Sequence, residues 1–285
     1  MSDFVVNALG QPVGRPLPQW RAAKIPSREP MPGRFCRLER LDAAAHADAL
    51  HTVFGEDVAV RMWTYLPYGP FDSAAAYREW IEAVTAREDP LFFAILDPAG
   101  AQPLGVSSYL RVDAANGSIE VGHLAFSPRL QRTAAATEAM FLMIDRAFSW
   151  GYRRCEWKCD SLNEPSRIAA ARLGFTCEGL FRQAVVVKGR SRDTAWYSIV
   201  DGEWAGLRAA YRRWLDASNF DSRGLQKERL SALTAAVARV GVGCAEVPLS
   251  FPGSEGQSGD ATHQACDPKQ GHGTGTRQAR PHEAV

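Results

Sequence analysis

The chain has 285 residues, 46% of them hydrophobic and 10% aromatic, with a formal charge of +1, which is ample for a buried core in one large or two small domains. Near-neutrality excludes the strong basic field through which nucleic acid or an anionic bilayer is gathered. No stretch approaches the ~20 apolar residues of a membrane span and no basic-then-apolar leader opens the chain, so a cytoplasmic protein without nucleic-acid or membrane partners is expected.

Residues 1–33 hold prolines and glycines from Gly10 to Gly33, and an extended arm without regular structure is expected, pinned by Phe4 and Trp20. A first strand follows over 34–41. Leu50, Val53 and Phe54 mark a helix over Ala43–Phe54, in which His46 and His51 are surface or core-edge groups. The loop Trp63-Thr-Tyr-Leu-Pro-Tyr-Gly-Pro-Phe71 is dense in aromatics, and Asp72-Ser73 caps a helix carrying Tyr77, Trp80, Ile81 and Val84 at helical spacing. Three strands come next, Leu91–Leu96, Leu104–Val112 and Ser118–Phe126, the last two joined through an Asn116-Gly117 turn. An apolar stripe of Ala139, Met140, Met143, Ile144 and Ala147 predicts a helix over 133–150, ended by Gly151. Then come a strand over 155–160, a short helix over 165–173, strands over 177–188 and 193–200, and a helix over 203–215. The order of elements gives an α/β, or α+β layered, domain over 34–216 with a mixed sheet and helices on both faces. A short helical extension is read over 217–240. Residues 241–285, polar and without periodicity, read as a disordered tail.

The six cysteines Cys36, Cys155, Cys159, Cys177, Cys244 and Cys266 are scattered, so reduced thiols and no metal site are expected. The chemistry-bearing stretch is 126–179. Ser127-Pro128 leads into Gln131-Arg132-Thr133 and the helix start Ala134-Ala135-Ala136-Thr137. The first N–H groups of a helix lack intrahelical partners, and with the helix dipole they make a socket for an anionic phosphate. Further on stand Asn163-Glu-Pro-Ser166 and Leu173-Gly174-Phe175-x-x-Glu178-Gly179.

Pro128, Gln131, Ala134 and Ala136, with Asn163, Ser166 and the Leu-Gly-Phe segment, resemble the GNAT acyl-CoA N-acyltransferases. The branch they resemble most is that of the RimJ and RimL ribosomal-protein N-acetyltransferases. The resemblance spans about 35–216 and is strongest over 118–200. It implies a mostly antiparallel sheet of six or seven strands and an N-acetyltransferase that uses acetyl-CoA as cosubstrate, with direct attack by a primary amine in a ternary complex. The acceptor it implies is a protein or peptide α-amine. A small amine, amino acid, polyamine or antibiotic is the alternative acceptor, a non-catalytic acyl-CoA-binding module the alternative class, and a monomer or homodimer the expected assembly.

By this resemblance the amides of Arg132, Thr133, Ala134, Ala135, Ala136 and Thr137 hold the CoA diphosphate, with side-chain help from Gln131 and Arg132. Ala134 stands where the family has glycine. Leu124 and Phe126 bond the pantetheine arm through their main chain, along a strand that splays from its parallel neighbour at a bulge near Gly122. Asn163 also bonds the pantetheine, Glu120 is the base with His123 ranked second, and Ser166 protonates the leaving sulfur. Many relatives have a tyrosine four residues after that serine; here it is Ala170. Read from the residues alone, Glu120 is equally a solvent-facing strand residue, and Asn163 with Ser166 a helix cap. Trp63, Tyr65, Tyr68 and Phe71 are assigned to the acceptor pocket, with core filling as the equal alternative. Arg190, Arg192 and Asp193 resemble the Arg-x-Asp turn of the RimJ and RimL branch.

Overall fold

A computed structural model describes residues 4–238. The expected tail over 241–285, with Cys244 and Cys266, lies outside the described residues. The chain runs through β1 (Phe4–Val6), β2 (Pro12–Gly14), β3 (Met31–Pro32), β4 (Arg37–Arg40), α1 (Ala43–Phe54) and α2 (Ala74–Thr85). Then follow β5 (Leu91–Leu96), β6 (Pro103–Asp113), β7 (Ser118–Phe126), α3 (Ala134–Ser149), β8 (Arg154–Asp160) and α4 (Glu164–Arg172). The last elements are β9 (Thr176–Val187), β10 (Arg190–Val200), α5 (Asp201–Leu215) and α6 (Leu230–Ala238).

β3 to β10 form one eight-stranded sheet in the order β3-β4-β5-β6-β7-β8-β10-β9. β7 and β8 are its parallel pair, and every other neighbouring pair is antiparallel. Parallel neighbours need a long crossover, which is why α3 lies between them in the chain. Its side chains Ala139, Met140, Met143, Ile144 and Ala147 are buried in one core cluster with Ile119, Val121, Cys155 and Trp157. The helices α1 and α2 cover the opposite face through a second cluster of Leu50, Val53, Tyr77 and Ile81 with Phe92 and Ala94. β5 is buried on both faces, so it reads as an unbroken apolar run. Each fully buried Ile, Val or Leu of this kind contributes about 1.5–3 kcal/mol.

The arm differs from expectation. β1 and β2 pair as a hairpin, because the Asn7 side chain accepts from Leu9 N at 2.9 Å and Gln11 N at 3.0 Å and closes the turn. Phe4 is exposed and pins nothing. Trp20 does pin the arm: its Nε1 donates to Ala115 O at 3.0 Å, and a side chain at Gly117 would collide with its ring.

A buried carboxylate ties the sheet edge to α3. Glu138 accepts from the successive backbone N–H groups of Arg34, Phe35 and Cys36 at 2.9, 2.5 and 2.9 Å. A Cβ on Gly33 would stand 2.4 Å from Glu138 Oε2 and 2.8 Å from Cys36 O. Glu138→Ala leaves three backbone donors without an acceptor, that of Cys36 fully buried, and a loss of about 3 kcal/mol is expected from urea denaturation. Glu138→Gln, which keeps one acceptor oxygen, should lose clearly less; equal midpoints for the two variants would contradict this account.

Candidate active site

β7 and β8 pair only at Ser118–Arg154, Ile119–Cys155 and Glu120–Glu156, then part. The cause lies in β7. Its register against β6 passes from Val106–Ala125 to Ser108–Gly122, so β7 carries one extra residue, and His123 adopts φ 51° there. A bulge bends and twists its strand, turning β7 away from β8. The bulge thus falls one residue after Gly122. Gly122 itself makes room, since a Cβ would stand 3.0 Å from Leu110 Cδ2 and 3.3 Å from Glu120 Oε1. Ser127 N donates to Leu104 O at 3.1 Å. Alternation along the strand therefore directs the N–H groups of Leu124 and Phe126 the other way, into the gap.

Glu120 sits where the gap opens, 3% exposed, so it is not a solvated strand residue. Its Oε2 accepts from Arg111 Nη1 at 2.7 Å and lies 3.1 Å from Lys158 Nζ. Lys158 Nζ is 2.7 Å from Glu156 Oε2 and sits 3.5 Å from the centroid of the Trp196 ring. Arg154 completes the row by holding Glu156, at 2.7 Å, and Glu178. Burial pushes the Glu120 carboxyl above the ordinary glutamate range, and Arg111 and Lys158 offset only part of that. Burial also acts on Glu156, but hydrogen bonds from Lys158 and Arg154 outweigh it and hold that carboxyl below the ordinary range. Two neighbouring carboxylates are thereby driven apart, one toward accepting a proton and one toward remaining an anion.

The aromatic loop packs against the β7 bulge. Trp63 packs in the core against Phe54 and Tyr77, and Phe71 against Tyr77 and Trp80. Tyr68 stacks on the His123 ring at 5.5 Å, and Phe92 lies 5.2 Å from the same ring. Tyr65 Oη crosses to Leu162 O at 3.0 Å, and Lys188 Nζ, from the β9–β10 turn, donates to Trp63 O at 2.8 Å. Of the four aromatics, Trp63, Tyr68 and Phe71 pack together in one cluster with Trp80, and Tyr65 alone reaches across to the segment after β8.

The helix start is narrower than the sequence suggests. Thr133 caps α3, its Oγ1 accepting from Ala136 N at 3.2 Å. Thr133 N donates to Leu130 O and Thr137 N to Thr133 O. Among the described residues this leaves Arg132, in a left-handed conformation at φ 62°, Ala134 and Ala135 with free N–H groups. The Gln131 side chain turns back to Phe126 O at 2.7 Å, so Phe126 offers the gap its N–H alone. Asn163 caps α4 by accepting from Ser166 N at 3.2 Å. Ser166 Oγ accepts from Trp157 Nε1 at 3.1 Å, and its hydroxyl also lies within hydrogen-bonding reach of the Cys159 thiol. Ala170 is completely buried.

Lys158, Arg111, Glu156 and Arg154 escaped the sequence reading, yet β8 carried the signal. Arg154, Glu156 and Lys158 alternate with Cys155, Trp157 and Cys159, so a buried face of thiols implies a charged face opposite. Arg111 left no such mark; it reaches Glu120 from a bulge of its own, at φ 48°.

The family model described as an acetyltransferase (GNAT) domain matches residues 36–176. A crystal structure of a GCN5-related N-acetyltransferase from Brucella melitensis is 43% identical, with a TM-score of 0.75, over 77% of this chain and 100% of that one. The chain belongs to the GNAT acetyltransferase family. The N-acetyltransferase p20 of Bacillus licheniformis, itself uncharacterised, is 27% identical over 160 residues, 53% of this chain and 89% of that one. A structure of RimL, the ribosomal L7/L12 α-N-protein acetyltransferase, shares this GNAT fold at 21% identity and a TM-score of 0.53, over 60% of this chain and 94% of that one.

His123 is a poor base in this site. Burial first, then the Arg111 charge, holds its imidazole down at about 4. Folded His123 binds a proton less readily than the unfolded chain does, so its contribution to stability is complete above the ordinary value of 6.5 and is lost as pH falls toward 4. Side-chain NMR should show a neutral ring down to about pH 5. In His123→Asn, the drop in urea midpoint between pH 7 and pH 5 should shrink. A ring midpoint near the unperturbed value would contradict the assignment.

Proposed function

We propose that the chain is an acetyl-CoA-dependent N-acetyltransferase in which a primary amine attacks directly, with Glu120 as base. The observation that carries this reading is the buried Glu120 carboxylate at the point where β7 and β8 part, where burial raises its pKa. A carboxylate with a raised pKa accepts a proton near neutral pH more readily than an ordinary one. The residues present fit the cosubstrate: three free amides at a helix start suit a diphosphate, and N–H groups of Leu124 and Phe126 line the gap for an amide-bearing arm.

Bound acetyl-CoA supplies an activated acetyl thioester. Arg132, Ala134 and Ala135 hold its diphosphate through their main chain, and Asn163 offers its remaining amide N–H to the pantetheine. Glu120 takes the proton of the attacking amine, directly or through one water. The Ser166 hydroxyl, fixed by Trp157, gives its proton to the departing sulfur. Burial raises the thiols of Cys36, Cys155 and Cys159, so none of these three supplies a thiolate for a covalent route. The α-amine of a protein or peptide is the acceptor that the RimJ/RimL-like motifs favour.

Glu120→Gln should lower kcat by about 10²–10³-fold while acetyl-CoA affinity, measured by calorimetry, stays within a few-fold. The acidic limb of the kcat/KM profile should lie above the usual carboxylate range, activity falling as pH drops and Glu120 is protonated. Arg111→Gln removes one of the two cations and should move that limb to higher pH. Unchanged amine-dependent thiol release in both Glu120→Gln and Ser166→Ala would overturn these catalytic roles, whereas acetyl-CoA binding without thiol release by the parent chain would favour a non-catalytic acyl-CoA-binding module.

A further inference from the structure

On the face of the sheet that carries Glu120, each carboxylate of the charged row has a cation. Glu120 has Arg111 and Lys158, Glu156 has Lys158 and Arg154, and Glu178 has Arg154. Arg192 breaks the pattern. It stands in β10, where Thr194 pairs with Asp160 and Trp196 with Lys158. Side chains alternate along a strand, so Arg192 shares a face with Trp196, the residue under the Lys158 ammonium. The register irregularity beside it places the extra residues in β9 rather than β10, which preserves that alternation.

Arg192 is half-buried, its Nε is shielded from solvent, and among the described residues that atom has no hydrogen-bond partner. No ion pair is made by its guanidinium among the described residues. Its charge nonetheless reaches the His123 ring, where it adds to that of Arg111. Arg111 comes to the gap from β6 on one side and Arg192 from β10 on the other. Arg111 is spent on Glu120, whereas Arg192 has no carboxylate partner among the described residues. A half-buried guanidinium whose Nε lacks a partner can still be satisfied by an incoming anion, and its planar fork is shaped to take a carboxylate through two parallel hydrogen bonds.

We propose that Arg192 receives a carboxylate of the acceptor, so that the amine delivered to Glu120 belongs to a molecule bearing an acid group a few bonds away. This rests on the acetyltransferase reading above. The shared chemistry has two sources, the α-carboxylate of a free amino acid and the side-chain carboxylate of an acidic first residue in a peptide. Arg192 is a specificity residue in this scheme, and it touches the acceptor away from the reacting nitrogen.

Thiol release from acetyl-CoA by the full chain is to be followed with matched acceptors. One panel sets the common amino acids against their carboxamides, and the other sets peptides beginning with Asp or Glu against those beginning with Asn or Gln. In one panel the acid should exceed its amide by roughly 10- to 100-fold in kcat/KM, the size of a charge-assisted pair. Arg192→Gln should bring that ratio close to one while acetyl-CoA affinity is retained, and Arg192→Lys should keep an intermediate ratio. The panel that shows the effect names the source. An acid-to-amide ratio near one in the parent chain, the same ratio in Arg192→Gln, or no turnover of either panel by a chain that binds acetyl-CoA would each overturn the proposal. Absence of both acetyl-CoA binding and turnover would bring down the acetyltransferase reading itself.

Discussion

Lys158 is the interaction on which the rest of the site depends. Pairing β7 with β8 in parallel sets Glu120 directly beside Glu156, and like charges on adjacent strands repel. A single buried ammonium, 3.1 Å from one and 2.7 Å from the other, makes the juxtaposition tolerable. It does so unequally. Arg154 adds to Glu156 from within the same strand, whereas Glu120 is met from across the sheet by a largely exposed Arg111. The inequality turns two identical side chains into a potential base and a fixed anion.

Most of the architecture was legible from periodicity. The limits of α1, β5 and β7 coincide with those read from the apolar pattern, because each is bounded by strong local signals: the Asp42 cap, the Asp97-Pro98 turn and the Asn116-Gly117 turn. The β1–β2 hairpin was hidden because its strands bury nothing and depend on a single asparagine side chain. The bulge was placed at glycine by the usual argument from conformational freedom, yet a histidine occupies the left-handed position. Stacking with Tyr68 and the contact with Phe92 hold the ring there, a tertiary effect that no local rule reveals.

The site was legible in outline and not in detail. Glu120 stands where β7 and β8 part, and Asn163 and Ser166 open the helix that follows β8. What sequence spacing cannot show is which amides remain free once side chains have turned inward. Thr133 and Gln131 illustrate this: each spends its polar group on the chain itself, leaving a smaller and more directional socket. The aromatic loop shows the reverse case, in which one segment both fills a core and reaches across to the segment after β8.

The helix α3 is tied down near its start and at its far end. Its first turn faces the proposed diphosphate site, its second carries Glu138 into the loop before β4, and at its far end Trp150 O accepts from Lys24 of the arm at 2.9 Å. A rod fastened at two points transmits a push rather than yielding to it. Filling the socket would therefore be felt at the far sheet edge and in the arm, places remote from any reacting atom, as a stiffening of segments that have no chemistry of their own.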